Sequence, residues 1–209
     1  MMKHNDLSGQ IVAKPLGRPR AYDLDEALDR AIDVFCERGY SGASINALAE
    51  AMGLVTGSLY KAFKDKEALF LASLQRYRAK NRVAAQEILV TEASGMAQLQ
   101  ALLRLYVRIS NGEQGIKGCL AVTSAVELTT FSAQVAKLVT ESMEDLKRLL
   151  EQIVLQGQAD GSISRSIEAT VAVSFVLCHL QGMRVVGKLN PTAHELTQAS
   201  ALVIAALKP

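Results

Sequence analysis

Residues 44–64 read SINALAEAMGLVTGSLYKAFK. Ile45, Leu48, Ala49 and Met52 recur at helical spacing and share one face of a short helix. Gly53 breaks that pattern, as a residue does where a turn needs positive φ. Thr56 is the expected cap of a second short helix, from which Leu59, Ala62 and Phe63 point inward. Two short helices joined by a turn of about three or four residues, often with a Gly, form a helix-turn-helix unit. Ala49 supplies the small side chain at the crossing point. The outward face of the second helix offers Thr56, Gly57, Ser58, Tyr60 and Lys61, with no acidic residue. Short donors, one phenol and one cation suit a phosphate-lined groove.

The surrounding composition says what kind of body carries this unit. Of 209 residues 49% are hydrophobic, only 5% are aromatic and Trp is absent, so the core is aliphatic and favours helices. Four Pro and no run of alternating apolar and polar residues argue against a sheet. With 23 basic and 21 acidic residues the formal charge is only +2, so contact with nucleic acid must come from local patches. Cys36, Cys119 and Cys178 lie far apart with no CxxC, which supports neither a disulfide framework nor a zinc site. No metal and no cofactor are expected. His4, His179 and His194 have no nucleophile or carboxylate at catalytic spacing, so an enzyme is not expected. The polar, basic first twenty residues lack the apolar core of a signal peptide. The apolar stretch 169–180 carries His179 and is too short to span a bilayer. A cytoplasmic protein without membrane contact is the expectation.

Three segments follow: a flexible arm over 1–16, a head carrying the helix-turn-helix over 17–64, and a larger helical body over 65–209. GRPR at 17–20 makes Arg18 and Arg20 candidates for a DNA backbone or minor groove. Asp23 caps the first helix, which buries Ala27, Leu28, Ala31, Ile32, Val34 and Phe35 and ends at Gly39. Lys64-Asp65-Lys66-Glu67 opens a long fourth helix through Leu69, Phe70, Leu74 and Tyr77, with a basic run of Arg76, Arg78, Lys80 and Arg82. Further helices are expected over about 96–110, 119–128, 132–158, 166–189 and 192–207. The Gly-rich NGEQGIKG at 111–118 lacks a Lys-Ser/Thr ending and a preceding strand, so it reads as connection only. The sum is an all-α chain of about nine helices. Its last two are apolar on several faces, which a second copy would cover in a symmetric four-helix interface.

Residues 17–70 resemble the TetR family of bacterial transcriptional regulators. The resemblance runs through GRPR, LDRAIDVFCERGYSGASINALAEAMGL and VTGSLYKAFKDKEALF, with cap, Gly turn, Tyr-x-x-Phe and Asp-Lys-Glu in order. It implies a homodimer with a three-helix DNA-binding head, 17–64, and a ligand-binding and dimerisation body, 65–209. It places Thr56, Gly57, Ser58, Tyr60 and Lys61 on the recognition helix, has Ser44 cap the preceding helix and donate to a phosphate, and makes Lys66 a backbone-contacting lysine with Lys64 nearby. The family often has a histidine after the recognition-helix Tyr. Lys61 stands there in this chain, so no base preference carries over.

The residues support a working scheme. Lys61, Lys64 and Lys66 with Arg18 and Arg20 neutralise phosphates, which gives salt-dependent affinity without sequence choice. Sequence choice then rests on Thr56, Ser58 and Lys61, the last toward guanine. A dimer requires an inverted-repeat operator in double-stranded DNA. A ligand entering between the fifth and eighth helices would tilt the fourth and reset the spacing of two heads. Candidate wall residues are Leu102, Tyr106, Met143, Phe175, Cys178, His179 and Met183, although ordinary core packing asks for the same types. Few charges point inward, which favours a small apolar or aromatic ligand over an anionic one. Cys119, after Gly118 at a helix start, is either a buried core thiol or a redox- or electrophile-sensing one. A helical ligand carrier or a nonspecific DNA-packaging protein is the alternative class.

Overall fold

The structure, a computed structural model, describes residues 23–209. Arg18, Arg20 and the arm expected over 1–16 lie outside the described residues. Ten α-helices follow in order: α1 (Leu24–Gly42), α2 (Ile45–Ala51), α3 (Thr56–Ala62), α4 (Lys66–Thr91), α5 (Gly95–Ile109), α6 (Gly112–Lys117), α7 (Leu120–Val126), α8 (Ala133–Asp160), α9 (Ala169–Val186) and α10 (Ala193–Leu207). Turns of 3-10 helix at Leu128–Thr130 and Gly187–Leu189 join them, and no strand occurs among the described residues. The segment 111–118, expected as connection, holds the six-residue α6.

The helix ends follow their capping chemistry. Asp23 accepts from the amides of Asp25 and Glu26, Asp65 from Ala68, and Ser94 from Ala97. Thr192 and Glu195 close a reciprocal capping box on α10. Inside α1 the helical geometry breaks at Gly39, with φ +70°.

Two buried clusters organise the interior. The first takes Leu28, Ala31 and Phe35 of α1, Leu48 and Leu59 of the helix-turn-helix, Leu69, Phe70 and Leu74 of α4, and also Leu120, Val135 and Val139 from further along the chain. Packing is therefore continuous across residue 65. The aromatic rings gather here. Phe70 meets Phe35 edge-on at 4.9 Å between centroids, Tyr40 at 5.1 Å, and Phe131 in a stack at 5.3 Å. The second cluster holds Leu99, Leu102 and Leu103 of α5, Leu150, Ile153 and Val154 of α8, and Val173, Val176 and Leu180 of α9.

Helix α4 bridges the two, and its basic run explains how. Residues four apart share a helix face, so Arg76 and Lys80 form one pair and Arg78 and Arg82 another. Arg76 grips Asp29 of α1 through two bonds of 2.7 Å, and Lys80 reaches the same carboxylate. On the other side Arg78 holds Glu141 and Asp145 of α8, and Arg82 also reaches Asp145. The Arg76 guanidinium holds the Asp29 carboxyl below the usual aspartate value, against an opposing push from burial.

The segment Ala169–Leu189 is 21 residues long and apolar enough by composition to cross a bilayer. The apolar stretch thus runs beyond the 169–180 expected from sequence. Its buried side packs in the protein core through Val173, Val176 and Leu180, and Arg184 lies buried within it. Its other side leaves Val171 and Phe175 exposed, and Leu202 of α10 is 72% exposed. An apolar surface on two adjacent helices needs a partner surface.

Candidate DNA-reading face and ligand cavity

Helices α2 and α3 meet as the spacing requires. Leu48, Ala49, Met52 and Leu59 are buried beneath them. Gly53 takes φ +70°, its amide donates to the Glu50 carbonyl at 3.0 Å, and Leu54 donates to Ala49 at 2.8 Å. A side chain at that φ would be strained, which is the physical reason for Gly. Ser44 caps α2 by accepting from the Ala47 amide at 3.2 Å.

Thr56 does not cap α3. The cap position belongs to Val55, in extended conformation and without a side-chain bond, and Thr56 is the first helical residue. Its hydroxyl instead donates to Asn46 at 3.3 Å, joining the two helices of the unit. The chain thus enters the helix one residue earlier than the cap rule suggests, and the Thr56 hydroxyl is engaged by Asn46 instead of by the helix end.

The outer face carries Gly57, Tyr60, Lys61 and Lys64 exposed, with Thr56 and Ser58 half-buried. Lys66 sits back from that face. Its ammonium lies 4.6 Å from the Tyr40 ring centroid and 3.5 Å from the Ser41 carbonyl, and burial lowers its pKa from the ordinary lysine value. Tyr40 and Asn46 thus position the face, and neither stood out in the sequence. An aromatic before a helix cap reads as core, and an Asn inside a helix has no fixed meaning until its neighbour is known.

A cavity of about 120 Å³ opens between α4, α5 and α8. Of the expected wall residues it brings together Leu102, Tyr106 and Cys119. The other five do not line it. Phe175 and Cys178 are exposed, on the outer side of α9. Half-buried His179 points toward α10, its Nε2 3.3 Å from the Ser200 hydroxyl. Met183 is core, 3% exposed, and Met143 instead accepts a long bond from Gln181. For the four residues on α9 the cause is shared. A helix apolar all round gives no phase, so its inward side cannot be chosen from periodicity.

Sequence reasoning missed Tyr77, Arg78, Asp145 and Arg184 in the wall. The Tyr77 hydroxyl and Cys119 Sγ lie 3.1 Å apart. Burial drives both Tyr77 and Tyr106 well above the ordinary phenol pKa, so both stay protonated. Burial also pushes the neighbouring Cys36 thiol up to about 12. At Asp145 burial pushes the pKa up, but the Arg78 and Arg148 bonds outweigh it and keep the carboxyl below its usual value. The basic run on α4 was the available signal for Arg78. Arg184 had none, since one Arg near the end of an apolar helix reads as a surface residue.

Comparison with known proteins places the whole assembly. Residues 27–73 match the family described as bacterial regulatory proteins, tetR family, and residues 95–203 match the tetracyclin repressor-like C-terminal domain. The chain is 30% identical over 200 residues to the HTH-type transcriptional repressor ComR of Escherichia coli (strain K12), spanning 94% of each. It is 26% identical over 183 residues to the HTH-type transcriptional repressor DhaR of Mycobacterium sp. (strain GP1), spanning 87% of this chain and 90% of that one. Among solved structures it resembles a cysteine-substituted form of the regulator CifR in complex with 26-base-pair operator DNA. There the TM-score is 0.78 at 32% identity, over 90% of this chain and 99% of that one.

Proposed function

The chain belongs to the TetR family, DNA-binding transcription regulators and not enzymes, and from that premise we propose that it is a cytoplasmic repressor released from its operator by a small molecule. Two copies join through the exposed apolar sides of α9 and α10 and present two α3 helices to an inverted repeat. Lys61, Lys64 and Lys66, with Arg18 and Arg20, take phosphates. Thr56, Ser58 and Tyr60 face the groove with Lys61.

One observation carries the ligand response: α4 is tied to both halves by opposite faces. Arg76 and Lys80 hold it to α1, while Arg78 and Arg82 hold it to α8 across the cavity wall. A molecule wedged against Asp145 and Tyr77 must change the α4–α8 separation, and α1 follows through Asp29. Coupling of about 1–3 kcal/mol is the common scale for such a link.

The test is selection of bound duplexes from genomic DNA, followed by gel-shift titration. An inverted repeat bound by a dimer is the expected result. Binding of random duplexes with equal affinity would overturn it.

A second reading is favoured by the position of Cys119 in the cavity wall beside the Tyr77 hydroxyl. An electrophile entering there would be attacked by the thiolate form of its sulfur, giving a thioether. Release of operator by N-ethylmaleimide in the parent and its persistence in Cys119→Ser would exclude Cys119 as the sensor.

A further inference from the structure

The charges in the wall of the cavity do not balance. Arg78, Arg82 and Arg184 contribute to it against one carboxylate, Asp145. Arg78 and Arg82 both bind Asp145, and Arg78 binds Glu141 as well. Arg184 stands apart from that network. It comes from α9, is 6% exposed, and has no carboxylate within 4.0 Å among the described residues. Its guanidinium donates to the carbonyls of Ile109 and Gly118 and, at 3.4 Å, to the Ser110 hydroxyl. These bonds pin the end of α5 to the start of α7, and that structural duty explains two of its nitrogens. It explains neither the uncompensated charge nor the Nε–H, which is buried and has no acceptor. Neutral carbonyls satisfy donors but leave a buried cation without a counter-charge. An Arg fork is shaped for a carboxylate.

Tyr106 supplies the second donor. It lines the same cavity, and its hydroxyl makes no hydrogen bond among the described residues. The Arg184 charge reaches that phenol, opposing part of the rise that burial and Cys119 impose on it.

We propose that the cavity binds a compact monocarboxylate, its carboxylate at the Arg184 Nε–H and the Tyr106 hydroxyl and its apolar body against Ile88, Leu102 and Leu149. The volume of about 120 Å³ limits the body to a single ring or a short chain; a cavity of about 150 Å³ holds benzene. The sequence favours an apolar or aromatic ligand over an anionic one; the proposal keeps the apolar body and departs on the charge, because Arg78, Arg82, Asp145 and Arg184 line the cavity. The assignment rests on the ligand-responsive reading above and names its effector class. It also gives the ligand a second route to the head. A carboxylate at the Nε–H pulls on the same guanidinium whose Nη2 holds the Gly118 carbonyl, next to Lys117, which pairs with Asp33 of α1 at 2.6 Å.

The test uses the full-length dimer with benzoate, phenylacetate and hexanoate, each against its primary amide, at pH 7 by titration calorimetry. At least one acid should bind on the order of tenfold tighter than its amide, as a charge-assisted bond predicts. Arg184→Lys keeps the charge but loses the Nε–H and the fork, so it should weaken the acid more than the amide and shrink that preference severalfold, and Tyr106→Phe should weaken the acid severalfold. Amides that bind as tightly as their acids would overturn the proposal, as would failure of all three acids to bind. Equal losses for acid and amide in Arg184→Lys would mean a purely structural arginine and would also overturn it. If that variant does not fold, the acid-to-amide ratio of the parent and the Tyr106→Phe effect decide. Gel shifts with the same compounds keep the two readings apart. Amides that release operator where acids do not would retain the ligand-responsive repressor and refute the carboxylate site. An acid that binds without releasing operator would do the reverse.

Discussion

The Glu127 carboxylate, at the end of α7, accepts from both the amide and the hydroxyl of Ser41, at 3.0 and 3.2 Å. Ser41 lies in the bend after Gly39, two residues before the tight passage into α2. A Cβ on Gly39 would collide with the same carboxylate, so the left-handed bend and the Glu127 bond are one arrangement. Lys66 donates to the Ser41 carbonyl from the start of α4. The head is thus fastened to the body at a point next to the reading face, in addition to the ties along α4.

Glu127→Ala removes that fastening without touching either the reading face or the cavity. The expected results are faster hydrogen exchange at the Ser41 amide and operator affinity lowered severalfold, since two loosened heads no longer hold one spacing. Global stability should fall by only about 1 kcal/mol, the usual worth of a partly exposed hydrogen bond. Exchange at Ser41 equal to the parent would refute the fastening.

Phe70→Ala empties the centre of the aromatic group formed with Phe35, Tyr40 and Phe131. Phe70 is fully buried, so the loss should be about 3–5 kcal/mol. That is a large part of the roughly 5–15 kcal/mol by which domains are stable. Because Phe131 comes from beyond α7, denaturant unfolding should weaken the head and the α7–α8 segment together. A midpoint within error of the parent would contradict this packing.

The reading unit was legible because its signals are local. Gly53, Ala49 and the caps at Asp23 and Ser44 act within a few residues of themselves, and the structure shows each cap bond. Thr56 was misread because its partner Asn46 lies on the other helix, where a local rule cannot see it. The cavity was less legible for the same reason on a larger scale. Leu102 and Tyr106 sit on an amphipathic helix whose phase is readable, whereas Phe175, Cys178 and Met183 sit on one that is apolar nearly all round. The α9 phase is set by α5, α8 and α10 jointly, and no pattern within residues 169–186 contains that information. Arg184 shows the limit most plainly, since its meaning comes from carbonyls 66 to 75 residues away.

Lys61→Ala and Lys64→Ala should separate phosphate contact from base reading. Both side chains are exposed on the outer side of the head. A lysine that only neutralises a phosphate should reduce the salt slope of log K by about 1 and weaken all duplexes alike. Lys64→Ala is expected to do that. Lys61→Ala is expected also to reduce discrimination at one operator position by about 1–3 kcal/mol. Identical behaviour of the two variants across a mutated operator series would remove Lys61 from base reading.

Leu202→Glu places a carboxylate on the exposed apolar side of α10, where the parent residue is 72% exposed in the single chain. The fold should tolerate it, because nothing in the core of one chain contacts that position closely enough to bury it. The dimer should not, since the charge would be buried unpaired at the four-helix interface. Sedimentation should give a folded monomer that no longer protects an inverted repeat. A stable dimer would move the interface elsewhere.

His179 gives the protein a mild acid sensitivity at the junction of α9 and α10. Burial lowers its pKa below the ordinary 6.5. Above that value the ring is neutral in both folded and unfolded chains and contributes no pH dependence. As pH falls through 6.5 the unfolded chain takes up the proton first, so folding stability is lost as pH drops toward the lower folded value. His179→Gln keeps a polar partner for the Ser200 hydroxyl and cannot titrate. Melting temperatures of parent and variant should therefore run parallel above pH 7 and diverge below about 6.5, with the parent losing more. Parallel curves down to pH 5 would show that the ring is as free to protonate in the folded chain as in the unfolded one.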